Sequence, residues 1–169
     1  MSGFFLTGEL IATAPSSADD AAGGYVVFEG RVRNLNEGRE VRSLEYEAFD
    51  EMAVKTGNEV LDEACKLFPI LDVSCVHRTG HLHIGDIAIR VEVASAHRKA
   101  AFEACDWIVD EVKRRVPIWK KEHYTDGDSG WINCEATSSC HPEARGISSA
   151  QIGGNAGELD SSQARNDKT

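Results

Sequence analysis

Two adjacent lysines, Lys120 and Lys121, lie in the segment RVPIWKKEHY, which spans residues 115 to 124. Lysine ammonium groups bind anions and, when partly desolvated, transfer protons near neutral pH. Side chains of a strand alternate between its faces, so Lys120 shares a face with Glu122 and Lys121 takes the opposite one. The pattern alone favours a strand edge that lysines protect from aggregation, and the alternative is the wall of an anion-binding active site.

Two more stretches combine basic residues in an unusual way. Arg31 and Arg33, in RVRN, are expected on one face of a strand, where they repel each other unless an acid or a bound anion lies between them. His97 and Arg98 follow Ser95, the expected N-cap of a helix, and so fall in its first turn. A cation there opposes the helix dipole unless an anion docks. An exposed hairpin face and a nearby carboxylate are the respective alternatives.

A further lysine, Lys113, precedes Arg114 and Arg115 near the expected end of the same helix. Basic side chains are favoured at helix C-termini because they interact with the dipole. The helix alone therefore explains this group, and a role for Lys113 in a site stays open at this point.

The hydrophobic periodicity predicts the elements that would position these residues. YVVFEGRVR and EVRSLEYEAF are separated by a Gly/Asn turn signal and predict a β-hairpin over residues 25–49. A helix is expected from Asp50, its N-cap, to residue 68. Strands are expected over 71–79 and 87–95, with a turn region over 80–86 between them. A second helix over 96–116 precedes two short strands over 117–124 and 129–135. The order ββαββαββ predicts an α+β domain with antiparallel pairing.

The same patterns predict which faces are buried. The first helix would bury the side chains at helical spacing: Met52, Thr56, Val60, Ala64 and Leu67. The second would bury Ala101, Cys105, Ile108 and Val112. In the strand over 87–95, apolar side chains alternate with Ala88, Arg90 and Glu92, which predicts one buried face.

The overall composition excludes several classes of protein. The chain has 169 residues, enough for one ordinary domain, and a net charge of -10, which argues against a nucleic-acid or membrane-surface binder. No apolar run approaches the roughly 20 residues needed to span a bilayer, and the first residues do not resemble a signal peptide. The five cysteines include no C-x-x-C pair and are expected to be reduced thiols of a cytoplasmic protein.

A metal site is the remaining chemical alternative. His77, His81 and His83 lie close together in the sequence, and the last two could share a strand face. No carboxylate completes the spacing of a zinc enzyme, so we expect no metal and no other cofactor.

Amino-acid composition and hydrophobic periodicity divide the chain into three parts. Residues 1–22 contain a short apolar strand and a polar connector, and residues 23–135 carry nearly all the periodic pattern. Residues 136–169 contain few large apolar side chains, and we expect a disordered tail there.

Four quoted stretches together resemble one known family. VFEGRVRNLNEGREVRSLEYEAFDEMA, VHRTGHLHIGD, VASAHRKAAFEACDWIVDEVKRRVPIWKKE and DGDSGWI are similar to the large, catalytic subunit of molybdopterin synthase, the MoaE family. The resemblance runs from residue 23 to residue 135. It implies a dimeric α+β fold, a mainly antiparallel sheet with two packed helices of the αβ hammerhead kind.

The resemblance also implies a reaction and partners. The family is a sulfurtransferase of molybdenum cofactor biosynthesis that converts cyclic pyranopterin monophosphate into molybdopterin by installing two sulfurs as a dithiolene. The sulfur comes from a small ubiquitin-like, MoaD-like carrier subunit whose C-terminal Gly-Gly ends in a thiocarboxylate. Two large subunits form the centre of a heterotetramer.

The motifs that match the family's substrate contacts are those found above. They comprise Arg31, Val32, Arg33, His97, Arg98, Lys113, Lys120, Lys121 and Glu122. The resemblance implies that Arg33, His97 and Arg98 hold the phosphate and pterin, with support from Arg31. Lys113 and Lys120 are the expected catalytic residues. Two anions must meet in this site, which requires local positive charge in an acidic protein.

Two other functions compete with this hypothesis. One is a non-catalytic module that binds a phosphorylated ligand or a ubiquitin-like tail. The other is a metal-dependent hydrolase that uses the histidines.

Overall fold

The computed structural model describes residues 3–13 and 20–133. Its elements are, in chain order, β1 (Gly3–Thr7), β2 (Gly24–Arg31), β3 (Leu35–Asn36), β4 (Arg39–Ala48), α1 (Asp50–Leu67), β5 (Ile70–Arg78), β6 (Gly80–His83), β7 (Ile87–Ser95), α2 (Arg98–Arg115), β8 (Ile118–Tyr124), β9 (Gly127–Asp128) and β10 (Ile132–Asn133). The predicted α+β class and the mainly antiparallel pairing are confirmed. Only β1 and β5, among the described strands, pair in parallel.

A four-stranded sheet forms the scaffold of the molecule. Its strand order is β1-β5-β7-β2, and both helices pack against one of its faces. The main core lies between them and includes Phe4 of β1, Val60 of α1, Val91 of β7 and Ile108 of α2. The strand predicted within residues 1–22 is thus part of this sheet.

A second sheet carries the β8 strand and its lysines. Its path is β10-β8-β4-β3, with β6 also paired to β4 and β9 to β8. β8 is therefore an interior strand, bonded to β4 along one edge and to β9 and β10 along the other. A small core of Val32, Leu44, Leu82 and Ala88 lies beside this sheet.

The predicted hairpin over residues 25–49 is wrong. β2 pairs with β7 in the first sheet, and β4 pairs with β8 and β6 in the second. The register of β2 shifts between Gly30 and Arg31, and the chain then passes from one sheet to the other. The Gly/Asn signal is a real turn, but it closes only the short β3–β4 hairpin. Its two turn residues, Glu37 and Gly38, both have positive φ, as a two-residue hairpin turn of this type requires.

Two predictions of burial also need correction. α1 buries Ala53, Gly57, Val60, Leu61 and Ala64, whereas the predicted Met52 and Leu67 are exposed. In β7, both faces are largely buried, because the strand is interior and Arg90 lies in a network of acids. The predicted inward stripe of α2 is confirmed at all its positions.

Helix α1 begins one residue earlier than predicted, and helix α2 begins two residues later. The N-cap of α1 is Phe49, and Asp50 is the first helical residue. The N-cap of α2 is His97, while Ser95 ends β7 and donates its hydroxyl hydrogen to the carbonyl of Pro69 at 2.8 Å. The segment 80–86, predicted as a turn, contains the strand β6 before the turn.

The boundaries of the three parts of the chain, 1–22, 23–135 and 136–169, remain predictions. The expected tail, residues 136–169, lies outside the described residues, as do Cys134 and Cys140. Cys65, Cys75 and Cys105 are free thiols; Cys75 is buried, and Cys105 is buried as predicted. Neither described helix combines the length and apolarity needed to cross a membrane.

Candidate active site

The strand β8 brings Lys120 and Glu122 together as the alternation predicted. The Lys120 ammonium nitrogen lies 3.1 Å from Oε1 of Glu122, and only 11% and 6% of the two side chains are exposed. Taking two charges out of water is costly unless they pair closely and make further hydrogen bonds. The other hydrogen bonds of Lys120 and Glu122 therefore determine whether this ion pair is stable in its buried position.

The second carboxylate oxygen of Glu122 has two donors of its own. Nδ2 of Asn36 donates to Oε2 at 3.0 Å, and the hydroxyl of Tyr124 donates to the same oxygen. The backbone is fixed as well, because the N–H of Glu122 donates to Oγ of Ser129 at 2.7 Å. Glu122 is thus held at both carboxylate oxygens and at its backbone.

These contacts determine the ionisation of the Glu122 carboxyl. Burial acts to raise its pKa, but the hydrogen bond from Tyr124, the charge and hydrogen bond of Lys120 and the hydrogen bond from Asn36 together lower the pKa. The pKa of Tyr124 is raised, by burial and by its bond to Glu122. Glu122 is therefore a carboxylate at neutral pH, and Lys120 faces a full negative charge.

Arg33 is connected to this pair through Asn36. Its Nη2 donates to Oδ1 of Asn36 at 3.1 Å, and the amide group of Asn36 then reaches Glu122. We call the set Arg33, Asn36, Lys120, Glu122 and Tyr124 the Glu122 network. The structure thus joins two of the sequence-predicted stretches, RVRN and KKE, at one place.

Arg31 does not share this position. It lies at the end of β2 and pairs with Glu29 at 2.6 Å, and its Nη1 donates to the carbonyl of Gly85. Arg33 lies beyond the strand, so the predicted common face does not form. The acid that was expected to balance the charge of Arg31 is Glu29.

Val32, between the two arginines, is a core residue. Its side chain is buried in the small core, and its backbone N–H and C=O bond to Asp86 and Gly85. The buried side chain and the two backbone hydrogen bonds of Val32 fix the backbone between Arg31 and Arg33.

The three basic residues at the end of α2 differ in their partners. Arg114 pairs with Glu111, and Arg115 pairs with Glu63 at 2.6 Å. Among the described residues, Lys113 makes no ion pair or side-chain hydrogen bond, and it is exposed. The helix therefore explains the two arginines, and Lys113 keeps all its donors. Only Val116 and Pro117 separate α2 from β8.

His97 and Arg98 lie at the other end of α2. No acid occupies the first turn of this helix, and within the described part of the chain neither side chain has an ion partner. The helix rises about 1.5 Å per residue, so Arg98 and Lys113 are separated by about 22 Å along it. A single copy of the chain does not bring His97 and Arg98 into contact with Lys113.

The N-terminal end of α2 is packed closely against β2. A Cβ atom added at Gly24 would lie 2.9 Å from the backbone of Arg98. This glycine allows the strand to approach the helix start, which fixes the direction of the first free N–H groups.

Lys121 lies on the opposite face of β8 from Lys120. Its nearest acid is Asp128, at 3.7 Å. The neighbouring His123 lies between Asp128, at 3.2 Å, and Glu45, at 3.5 Å. Lys121 is thus separated from the Glu122 network by the sheet itself.

The histidines proposed as an alternative metal site do not form one group. His77 is buried, its ring meets Tyr46 edge-on, and burial lowers its pKa to about 4. His81 and His83 are exposed, with ring centres 5.2 Å apart. Within residues 3–13 and 20–133, no three His, Cys, Asp or Glu side chains are placed to hold a metal ion.

The arrangement around β8 is suited to anion chemistry. An ammonium group has three N–H donors, and Lys120 uses one of them for Glu122. Arg33 uses a single donor for Asn36, and Lys113 uses none among the described residues. Each of these cations therefore has donors that can bind an anion.

The sequence reasoning missed part of this site. Tyr124 lies two residues beyond Glu122 and therefore on the same strand face, so alternation could have found it. Asn36 is 86 residues from Glu122 in sequence, and its contact depends on the β3–β4 turn. Arg39, whose guanidinium lies 3.7 Å from the centre of the Tyr124 ring, depends on the same turn.

Comparison with known proteins identifies the family. A family model described as MoaE protein matches residues 7–115. The molybdopterin synthase catalytic subunit of Pyrococcus abyssi is 51% identical over 124 residues, which cover 73% of this chain and 81% of that protein.

Two solved structures share the fold. Molybdopterin synthase from Staphylococcus aureus matches with a TM-score of 0.72 and 38% identity, over 78% of this chain and 98% of that chain. A complex of subunits 1 and 2 of molybdopterin-converting factor from Helicobacter pylori contains a chain with a TM-score of 0.54 and 21% identity, over 72% of this chain and 77% of that one. The sequence match and the first of these structures agree: the chain belongs to the MoaE family.

Proposed function

We propose that this chain is the catalytic subunit of a molybdopterin synthase. It transfers sulfur from the C-terminal thiocarboxylate of a small ubiquitin-like subunit to cyclic pyranopterin monophosphate, and the product carries the dithiolene of molybdopterin. Family membership supports the reaction. The observation that carries the assignment to a site is the nearly buried Lys120–Glu122 pair, linked to Arg33 through Asn36.

The charges of the reactants explain why such a site is needed. The substrate carries a cyclic phosphate and the donor tail carries a thiocarboxylate, so two anions must approach each other. A fixed cation in a largely desolvated place, such as Lys120, stabilises that approach more than it would in water. The chain is acidic overall, with a net charge of -10, so this positive charge has to be local.

Each basic residue receives a role that its surroundings support. Arg33 binds the phosphate or pterin, because most of its donors are unused among the described residues. Lys120 moves protons at the carbon that receives sulfur, and Glu122 holds it in place. Lys113 orients the thiocarboxylate and stabilises charge when the acyl link to the carrier is hydrolysed.

The remaining predicted residues support this centre in different ways. Arg31 and Val32 hold the segment that carries Arg33. Lys121 lies near Asp128 on the opposite face of β8, so it can line only the rim of the site and takes no part in the chemistry. No metal or other cofactor enters this scheme.

His97 and Arg98 imply that two copies of the chain cooperate. They are about 22 Å from Lys113 along α2, so they complete a site only if another copy presents them. This supports a homodimer at the centre of a heterotetramer with two small carrier subunits. We also propose that this assembly acts in the cytoplasm.

A reconstituted reaction tests the proposed function. The purified chain is mixed with cyclic pyranopterin monophosphate and a small Gly-Gly carrier subunit bearing a C-terminal thiocarboxylate. We expect dithiolene product, and none with the same carrier bearing an ordinary carboxylate. Absence of product with a carrier that is active on another family member would refute the proposal. A phosphate-ligand or tail-binding module would then be favoured if the carrier still bound.

A further inference from the structure

Two residues of the Glu122 network, Asn36 and Tyr124, bond Glu122 directly and make no hydrogen bond to either of the proposed catalytic lysines. Asn36 and Tyr124 both donate to Oε2 of Glu122, whereas Lys120 donates to Oε1. The two oxygens of the carboxylate thus have separate partners. A carboxylate with both oxygens engaged cannot rotate about its last bond without losing at least one hydrogen bond.

We propose that Tyr124 and Asn36 are positioning residues that hold the Glu122 carboxylate turned toward Lys120 and thereby set the direction of the Lys120 ammonium group. This inference rests on the proposed function, since it assigns Lys120 a part in the reaction. It adds to that function two residues that the family resemblance did not indicate.

Burial makes these two donors necessary. Glu122 is 4% exposed, and a buried carboxylate lacking hydrogen bonds takes up a proton. A neutral Glu122 would no longer attract Lys120, and the ammonium group would be free to leave its position. The Tyr124 and Asn36 donors therefore keep the carboxylate charged as well as oriented.

Tyr124 is itself fixed from outside the network. Arg39 lies over its ring at 3.7 Å, within the range of a cation–π contact, and Arg39 pairs with Asp126 at 2.7 Å. Asn36 is held between Arg33 and Glu122 through its two amide atoms. Asn36 thus ties the direction of the proposed phosphate-binding arginine to that of the proton-transferring lysine.

The isosteric change Tyr124→Phe tests the inference, because it removes one hydroxyl and keeps the ring under Arg39. With one donor lost, the pKa of Glu122 rises and its protonation begins at higher pH. We expect the acid limb of the kcat–pH profile to move up by about one pH unit. We expect kcat at neutral pH to fall about tenfold, while KM for the pterin substrate changes less than about twofold. Asn36→Ala should act in the same direction and should also raise that KM, because it releases Arg33.

Two controls separate positioning from general damage to the fold. Asn58→Ala removes an amide that bonds only Phe4 and Val54 in the described structure, so it should lower Tm and leave the pH profile unchanged. In a Glu122→Gln background, Tyr124→Phe should change kcat less than about twofold, because the carboxylate it positions is gone.

The outcomes distinguish this inference from the proposed function. If the unaltered chain makes dithiolene but Tyr124→Phe keeps its kcat and its acid limb, the inference is wrong and the function stands. The same conclusion follows if Tyr124→Phe and Glu122→Gln act independently. If the unaltered chain makes no product with an active carrier, the proposed function itself fails.

Discussion

Lys113 differs from the arginines that follow it in having no carboxylate partner among the described residues. Arg114 and Arg115 are both engaged by acids of α1 or α2. A cation without a partner at the end of a helix gains a few tenths of a kcal/mol up to about 1 kcal/mol from the dipole. That small gain suits an ammonium group that must remain available to a ligand.

Substitutions at Lys113 and Arg115 should therefore differ in their effect on kcat. Lys113→Ala is expected to lower kcat about 100-fold, because it removes charge stabilisation at the reaction, and to lower the free energy of unfolding by no more than its small interaction with the helix dipole, at most about 1 kcal/mol. Arg115→Ala should lower the free energy of unfolding by about 0.2 to 1 kcal/mol, the value of an exposed ion pair, and leave kcat unchanged. Turnover of the reconstituted reaction and urea denaturation measure the two effects. Equal kcat for Lys113→Ala and the unaltered chain would exclude a catalytic role for Lys113.

At the scale of elements, α2 decides which residues can meet. It is an 18-residue helix that carries Arg98 in its first turn and Lys113 in its last. β8 follows the C-terminal end of α2, where Lys113 lies. His97 and Arg98 therefore lie at the opposite end of the helix from β8. The proposed site needs both sets, and two copies of the helix from different chains can supply them.

Mixing two inactive variants tests this sharing of residues. His97→Ala and Lys120→Ala chains are each expected to be nearly inactive alone. When they exchange subunits in equal amounts, half of the dimers are mixed, and each mixed dimer has one intact site. Activity should therefore recover to about a quarter of that of the unaltered chain. Failure to recover, with exchange shown by native mass spectrometry, would place His97 outside the site of the neighbouring copy.

Sequence patterns predicted the elements better than their partners. The helices and the longer strands were found because their periodicity is local, and the inward stripe of α2 was correct. The β2–β4 hairpin was wrong because nothing local marks the bend at Arg31 where the chain changes sheets. The stripe of α1 was misplaced because Gly57 faces the core: its missing side chain makes room for the ring of Phe4.

The contacts of the candidate site likewise fall into those that local sequence patterns predict and those between residues far apart in the sequence. The Lys120–Glu122 pair follows from alternation along one strand, and the structure confirms their common face. Asn36 and Arg39 reach the same place through a turn far away in the sequence, so no pattern near β8 indicated them.

At the scale of the whole molecule, the N-terminal strand β1 contributes both to the four-stranded sheet and to the main core. β1 extends the four-stranded sheet beside β5, and the Phe4 ring fills the space above Gly57 in α1. Phe4 is 1% exposed, while the adjacent Phe5 is 40% exposed. The two neighbours thus face the core and the opposite side of the sheet.

This difference predicts unequal effects of the same substitution. Phe4→Ala should lower the free energy of unfolding by about 3 to 5 kcal/mol, because it leaves a cavity in the main core. Phe5→Ala should cost less than about 1.5 kcal/mol, since its ring is only partly covered. Urea denaturation of both variants measures the comparison, and equal losses would show that β1 does not anchor the core as described.

The proposed sulfur transfer depends on Lys120, and one comparison of two variants tests this most directly. Single-turnover formation of dithiolene is measured for Lys120→Ala and for its neighbour Lys121→Ala, which removes an identical side chain from the opposite face of β8. We predict a loss of at least about 100-fold for Lys120→Ala and a change within about threefold for Lys121→Ala. Full activity of Lys120→Ala, or equal losses in the two variants, would contradict the proposed site.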